Sequence, residues 1–274
     1  MMSLFTYLSI AYLCLFLIVR YLERRSVFFP GKRIKYTPDE IGIDYEDLYI
    51  RTSDGVEINA WLIKCAKTAA ASARPATVIF AHGNAGTMGE RLVKIKFLHD
   101  FGVNVLAFDY RGYARSSGTP SERGVYRDAK AVFDYLNTRQ DIDPSKIIAY
   151  GSSLGGAVMI DLAVKREVAA LIVESSFTSA VAIGKRLYPY LPGFMMSIKF
   201  DSVSKIRKVK VPKMILHSPR DRIIPYDMGK ELFQEAKEPK YFVEFDGGHD
   251  EGGLIKDVRA HAALEKFFKE VSKR

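Results

Sequence analysis

Six short apolar runs, most followed by a segment of helical periodicity, constrain this chain more than any other feature. They are Thr77–Ala81, Val103–Phe108, Ile147–Tyr150, Ala170–Val173, Val211–Leu216 and Tyr241–Phe245. Runs this short and this continuously apolar suit parallel strands buried on both faces. Helical segments fit between them at 89–100, 123–138, 154–166 and 226–237, with a last one at 254–271. Alternation of this kind implies an α/β fold with an open, doubly wound, mostly parallel sheet. An antiparallel pair is expected ahead of it. Leu48–Ile50 and Val56–Ile63 flank Asp54-Gly55, a strong hairpin turn signal.

The chain has 274 residues, enough for one domain over 46–274 plus an extension. Met1 to Val19 carry no charged side chain. As a helix they span about 28 Å, close to the roughly 30 Å hydrocarbon core of a bilayer. A cleaved leader would show a basic start and a small-x-small cleavage site, and neither is visible. A buried soluble helix would show a polar face, which this run lacks. We therefore expect a single-pass transmembrane anchor over 1–19. A linker follows over 20–45, punctuated by Pro30, Gly31, Pro38 and Gly42. Arg20, Arg24, Arg25, Lys32, Arg33 and Lys35 follow the anchor and no basic residue precedes it. By the positive-inside rule the folded domain is expected in the cytoplasm.

Between Glu174 and Val211 no simple crossover helix is apparent. Residues 179–209 hold Leu187, Tyr188, Tyr190, Leu191, Phe194, Met195 and Met196, interrupted by Pro189 and Pro192. Two readings stand open: ordinary core packing by a broken helix, or a small lid offering apolar surface to a substrate chain.

Lys and Arg total 41 against 32 Asp and Glu, a net charge of +9. One basic cluster follows the apolar segment and another holds Lys205, Arg207, Lys208, Lys210 and Lys213. Neither resembles a nucleic-acid motif; they read as a solvated basic surface or, beside an apolar anchor, as a contact for lipid headgroups. Cys14 and Cys65 cannot build a disulfide framework. No CxxC or HExxH pattern occurs and the five histidines are scattered, so no metal site is expected. No cofactor is expected either, since an activated serine would do the covalent chemistry.

Gly151-Ser152-Ser153-Leu154-Gly155 matches G-x-S-x-G between an apolar run and a helical segment. In that context the central serine sits on a strained strand-to-helix turn, with its oxygen projecting above the sheet. Strand and helix crowd at the flanking positions, which Gly151 and Gly155 satisfy. Ser153 is thus the expected nucleophile, and Ser152 is the wrong serine for the tip. A serine hydroxyl needs a base to take its proton. His249 follows the last run directly and is the candidate; its neighbour Asp250 is poorly placed to orient it. The orienting carboxylate should lie on a loop between serine and histidine in chain order. Asp221 fits, with Glu174 as rival. An oxyanion needs two aimed backbone N–H groups. Leu154 supplies one. The second is expected from His82-Gly83-Asn84-Ala85-Gly86, at Asn84 or Ala85, with Ala85 favoured. His82 reads as a brace for that loop.

Together, His82–Gly86, Asp109-Tyr110-Arg111-Gly112-Tyr113, Gly151–Gly155, Glu174-Ser175-Ser176-Phe177 and Gly248-His249 resemble the α/β-hydrolase superfamily over roughly residues 46–271. The HGNAG loop and apolar N-terminal segment are similar to a membrane-associated subgroup related to acyl-protein depalmitoylases and lysophospholipid hydrolases. The resemblance implies that Ser153, Asp221 and His249 form a triad, and that Asp109 and Arg111 brace loops. The oxyanion loop departs from the HGGG type of many lipases, and Ser218 stands where the family often has glycine.

These readings lead to an expected hydrolase of esters or thioesters, acting on small-molecule or acylated substrates near a membrane. A peptidase or amidase uses the same three residues, and a non-catalytic membrane scaffold is the reading from another class.

Overall fold

The computed structural model describes residues 3–65, 74–190, 192–249 and 251–273. The chain opens with α1 (Leu4–Val27), then β1 (Phe29–Pro30), β2 (Glu46–Arg51), β3 (Glu57–Ile63), β4 (Thr77–Ala81) and β5 (Ala85–Gly86). There follow α2 (Leu92–His99), β6 (Asn104–Phe108), α3 (Glu122–Thr138), β7 (Ile147–Ser152), α4 (Leu154–Lys165) and β8 (Ala170–Glu174). The remainder runs α5 (Ala180–Leu187), α6 (Ser202–Ile206), β9 (Lys213–His217), α7 (Tyr226–Glu235), β10 (Lys240–Glu244), α8 (Glu251–Lys256) and α9 (Val258–Ser272).

Among the described residues one sheet has the order β10-β9-β8-β7-β4-β6-β3-β2. β2 and β3 form the antiparallel hairpin around Asp54-Gly55, and every pairing from β6 to β10 is parallel. This is the expected doubly wound α/β architecture. Successive strand residues point to opposite faces, so each strand feeds two cores. Ile79, Leu106, Ala149 and Leu171 pack with α3 and α4 through Val125, Val132, Val158 and Leu162. Val78, Phe80, Val105, Ile148 and Ile172 pack on the other face with Ile95, Leu98, Leu264 and Phe267. The strand order reverses around β4 and β7, and the crevice at the carboxyl ends of such strands is where ligands bind in open α/β sheets. Both the glycine-containing loop 82–86 and Ser153 leave the sheet there.

Three boundaries differ from the sequence reading. The first helix does not stop near residue 19. Arg20 to Val27 are helix-compatible and extend it to Val27, where the Phe28 N–H closes the last turn on the Arg24 carbonyl. The segment expected as linker therefore begins as helix. The expected helix at 89–100 is a 3₁₀ turn over Met88–Arg91 followed by α2. The last expected helix is two. Asp257 interrupts it by accepting from the Arg259 and Ala260 N–H groups as cap of α9, and from the Asp246 N–H. A run of small residues over 69–75, expected from sequence as a loop, lies partly outside the described residues, as do Leu191 and Asp250.

α1 is long and apolar enough to cross a membrane, with no part of its apolar window buried. Phe5, Leu8, Leu13 and Leu17 are all more than half exposed. A buried core helix is thereby excluded for this segment.

Candidate active site

The site begins with backbone strain at the end of β7. Ser153 has φ 54° and ψ −116°, a conformation that L-residues rarely adopt and that persists only when its surroundings hold it. Three contacts hold it. Its N–H donates to the Glu174 carbonyl at 2.8 Å. Its own carbonyl accepts from the Gly156 N–H at 3.0 Å and from the Ser176 hydroxyl at 2.8 Å. The flanking glycines are required by contact. A Cβ on Gly151 would lie 2.1 Å from the Gly155 carbonyl oxygen, and one on Gly155 would lie 1.9 Å from that of Ala81. The sequence motif thus records a close crossing of β4, β7 and α4.

The three side chains singled out from sequence meet. His249 Nε2 lies 3.1 Å from Ser153 Oγ, and His249 Nδ1 lies 2.7 Å from Asp221 Oδ2. The carboxylate is an acceptor only, so Nδ1 carries the hydrogen and the bare Nε2 faces the serine hydroxyl. Asp221 is buried while His249 stays partly open. Burial would push the Asp221 pKa up. Hydrogen bonds from His217 and His249 and from the backbone outweigh it, holding the carboxyl well below the usual range. Its Oδ1 accepts from the Ile223 and Ile224 N–H groups at 2.8 and 2.9 Å.

Sequence reasoning missed His217. Its Nε2 lies 3.4 Å from Asp221 Oδ2 and 3.0 Å from the Ile224 carbonyl, both acceptors, so Nε2 carries the hydrogen. Gly229 presses on the other side of the ring, where a Cβ would come within 2.2 Å of Nδ1. The ring is fully buried and fixes the carboxylate from behind. Only its place at the end of an apolar run hinted at this. Ser218, the departure from glycine, donates through its hydroxyl to the Gly247 carbonyl, tying the acid loop to the histidine loop. Ser176, within Glu174–Phe177, locks the turn at Ser153.

Glu174, the rival acid, is not at the site. Its carboxylate is buried against Lys94 Nζ, at 2.9 Å from each oxygen, and accepts from the Tyr150 hydroxyl at 2.6 Å. His82 braces its loop as expected, with Nε2 3.1 Å from Asp109 and Nδ1 2.7 Å from the Gly83 carbonyl. Asp109 also accepts from the Met88 N–H, and Arg111 bridges Asp54 and Asp128. Both therefore hold loops in place.

The two candidates for the second oxyanion donor, Asn84 and Ala85, are placed differently. Ala85 is exposed, its register partner is Phe29, and its carbonyl is taken by Arg91. Asn84 instead lines the cavity with Ser153, Leu154 and His249. Its side chain donates to the Val27 carbonyl and its own carbonyl accepts from the Phe29 N–H and the Tyr113 hydroxyl. That cavity measures about 870 Å³. Its walls are largely apolar, from Phe177, Ile183, Leu187, Met196, Ile198 and Ile224. Among the described residues no group of His, Cys, Asp and Glu is placed to hold a metal ion.

A doubly wound sheet with a serine at its strained central turn, and histidine and acid loops at the same edge, is the architecture of an α/β hydrolase. A family model described as serine aminopeptidase, S33, matches residues 72–202. Protein Rv2307c of Mycobacterium tuberculosis is 32% identical over 252 residues, 91% of this chain and 88% of that protein. The alpha/beta hydrolase domain-containing protein WAV2 of Arabidopsis thaliana is 34% identical over 241 residues, 80% of this chain and 77% of WAV2. The esterase Pf2001 of Pyrococcus furiosus superposes with a TM-score of 0.67 at 22% identity, covering 90% of this chain and 97% of that one, a likeness of fold. The chain belongs to the α/β-hydrolase family.

Proposed function

We propose that the protein is a membrane-anchored serine hydrolase that cleaves esters or thioesters of acyl-chain-bearing substrates. One observation carries the reading: the Ser153, His249 and Asp221 side chains form a continuous hydrogen-bonded relay that opens into an apolar cavity. His249 Nε2 takes the proton as Ser153 Oγ attacks the acyl carbonyl carbon. The resulting oxyanion is met by the backbone N–H groups of Leu154 and Asn84. As the carbon–oxygen or carbon–sulfur bond breaks, the leaving alcohol or thiol receives the proton from His249. Water then attacks the acyl-enzyme, giving its proton to the same nitrogen. The fatty acid departs and Ser153 recovers its hydrogen. Asp221 holds the imidazole tautomer and stabilises the imidazolium, while His217 holds Asp221.

The apolar lining favours an acyl chain over a peptide backbone, which would bring polar groups into a wall with few partners for them. α1 serves as the anchor, and the basic residues after its apolar run favour a cytoplasmic domain. The test is a panel of p-nitrophenyl esters, an acyl-thioester and a peptide amide. Ester and thioester turnover is expected in the wild type, and Ser153→Ala is expected to lose nearly all of it. Turnover retained by Ser153→Ala, or confined to the amide, contradicts the reading.

A further inference from the structure

The cavity beside Ser153 is not closed by the hydrolase domain alone. Val19, Leu22, Glu23, Ser26 and Val27 of α1 also line it. Their spacing of three, one, three and one places them on one face of the helix. The same helix carries the apolar window with no part buried, and its 24 residues make about 36 Å, longer than a bilayer core, so a helix spanning with this window would leave its last turns at headgroup depth.

Two further observations fix this geometry. Glu23 clasps the return of the 179–209 insertion: its carboxylate accepts from the Ser197 and Ile198 N–H groups at 2.7 and 2.8 Å and from the Ser197 hydroxyl. The insertion leaves Leu187 and Tyr188 at the cavity, and Tyr190 and Phe194 beyond it, between 57% and 97% exposed. Exposed apolar side chains grouped beside a membrane helix are placed to sit in the interface.

We infer that the membrane helix α1 is a wall of the acyl-binding site, and that the substrate is a long acyl chain drawn from the bilayer along the Val19–Leu22–Val27 face to Ser153. This rests on the hydrolase reading above and assigns α1 a role in specificity besides attachment. The chain passes between α1 and the insertion without crossing water, so its apolar surface is never exposed on the way in.

The test uses the full-length protein in mixed micelles, with p-nitrophenyl butyrate and p-nitrophenyl palmitate. Leu22 is 52% exposed, so a larger ring fits without repacking the helix. Leu22→Trp is expected to lower the palmitate-to-butyrate ratio of kcat/KM at least tenfold. Leu17→Trp, on the opposite face of α1, is expected to keep the wild-type ratio. Leu22→Ala, which enlarges the cavity, is expected to move the preferred chain to greater length and serves should the tryptophan variant fail to fold. An active wild type whose ratio and preferred length are unmoved by either Leu22 variant overturns this inference and leaves the hydrolase reading intact. A wild type that turns over neither ester removes both.

Discussion

At the scale of single residues, the site depends on one carboxylate read from two sides. Asp221 receives His249, His217 and two backbone N–H groups, so replacing it alters tautomer and loop together. Asp221→Asn is expected to lower kcat by about 10⁴-fold with the fold retained, because an amide can present a donor to Nδ1 and favour the wrong tautomer. The same group carries a pH signature. Its pKa is held below that of an unfolded chain, about 3.9. It therefore contributes stability that is fully present above that value and is lost as pH falls toward the folded one. Denaturant titrations between about pH 5 and pH 3 are expected to show unfolding free energy falling more steeply in the wild type than in Asp221→Asn. Ser153, His249 and Asp221 were legible because chain order and strand ends fix them. That Asn84 lines the cavity and Ala85 does not was not legible: Ala85 pairs with Phe29, distant in sequence, and nothing local to His82–Gly86 announces it.

At the scale of elements, the turn at Ser153 and the buried polar cluster beneath it set what the fold tolerates. Gly155→Ala places a methyl 1.9 Å from the Ala81 carbonyl oxygen, where backbone must move. The variant is expected to lose hydrolysis through displacement of Ser153, read as a lower yield of reactive serine. Lys94 and Glu174 are both fully buried. Glu174→Ala leaves an uncompensated ammonium, at an expected cost of about 3–5 kcal/mol, and pairing it with Lys94→Met is expected to recover most of that loss. A denaturation midpoint series on the single and double variants checks both. The sequence showed Glu174 as an acid at a strand end, which is also what a catalytic acid looks like. Its partner lies eighty positions away on α2, so only the packed structure separates the roles. The helices and strands themselves were readable to within a few residues, because apolar runs and amphipathic periods are local signals. The breaks at Met88–Arg91 and Asp257 were not, since each is set by contacts from distant loops.

At the scale of the whole molecule, the N-terminal helix α1, an insertion and the carboxyl edge of the sheet converge on one cavity. The apolar length of α1 was readable from sequence, and the insertion stood between two readings. The structure shows residues of both functioning as cavity wall, with Glu23 joining them. That convergence was illegible because the sequence reading ended the helix at residue 19, ahead of Leu22, Glu23, Ser26 and Val27, and because the partners of Glu23 at Ser197 and Ile198 lie far away in sequence. Removal of residues 1–25 is expected to release the protein from carbonate-washed membranes, and persistent attachment would assign binding to the insertion and basic surface instead.

Which oxygen attacks the acyl carbon decides whether Ser153 is the nucleophile. A fluorophosphonate adduct mapped by peptide mass spectrometry addresses that directly. It is expected on Ser153 alone, absent in Ser153→Ala and greatly slowed in His249→Ala. An adduct on Ser152, Ser175 or Ser176, or labelling of equal rate in all three proteins, would contradict it.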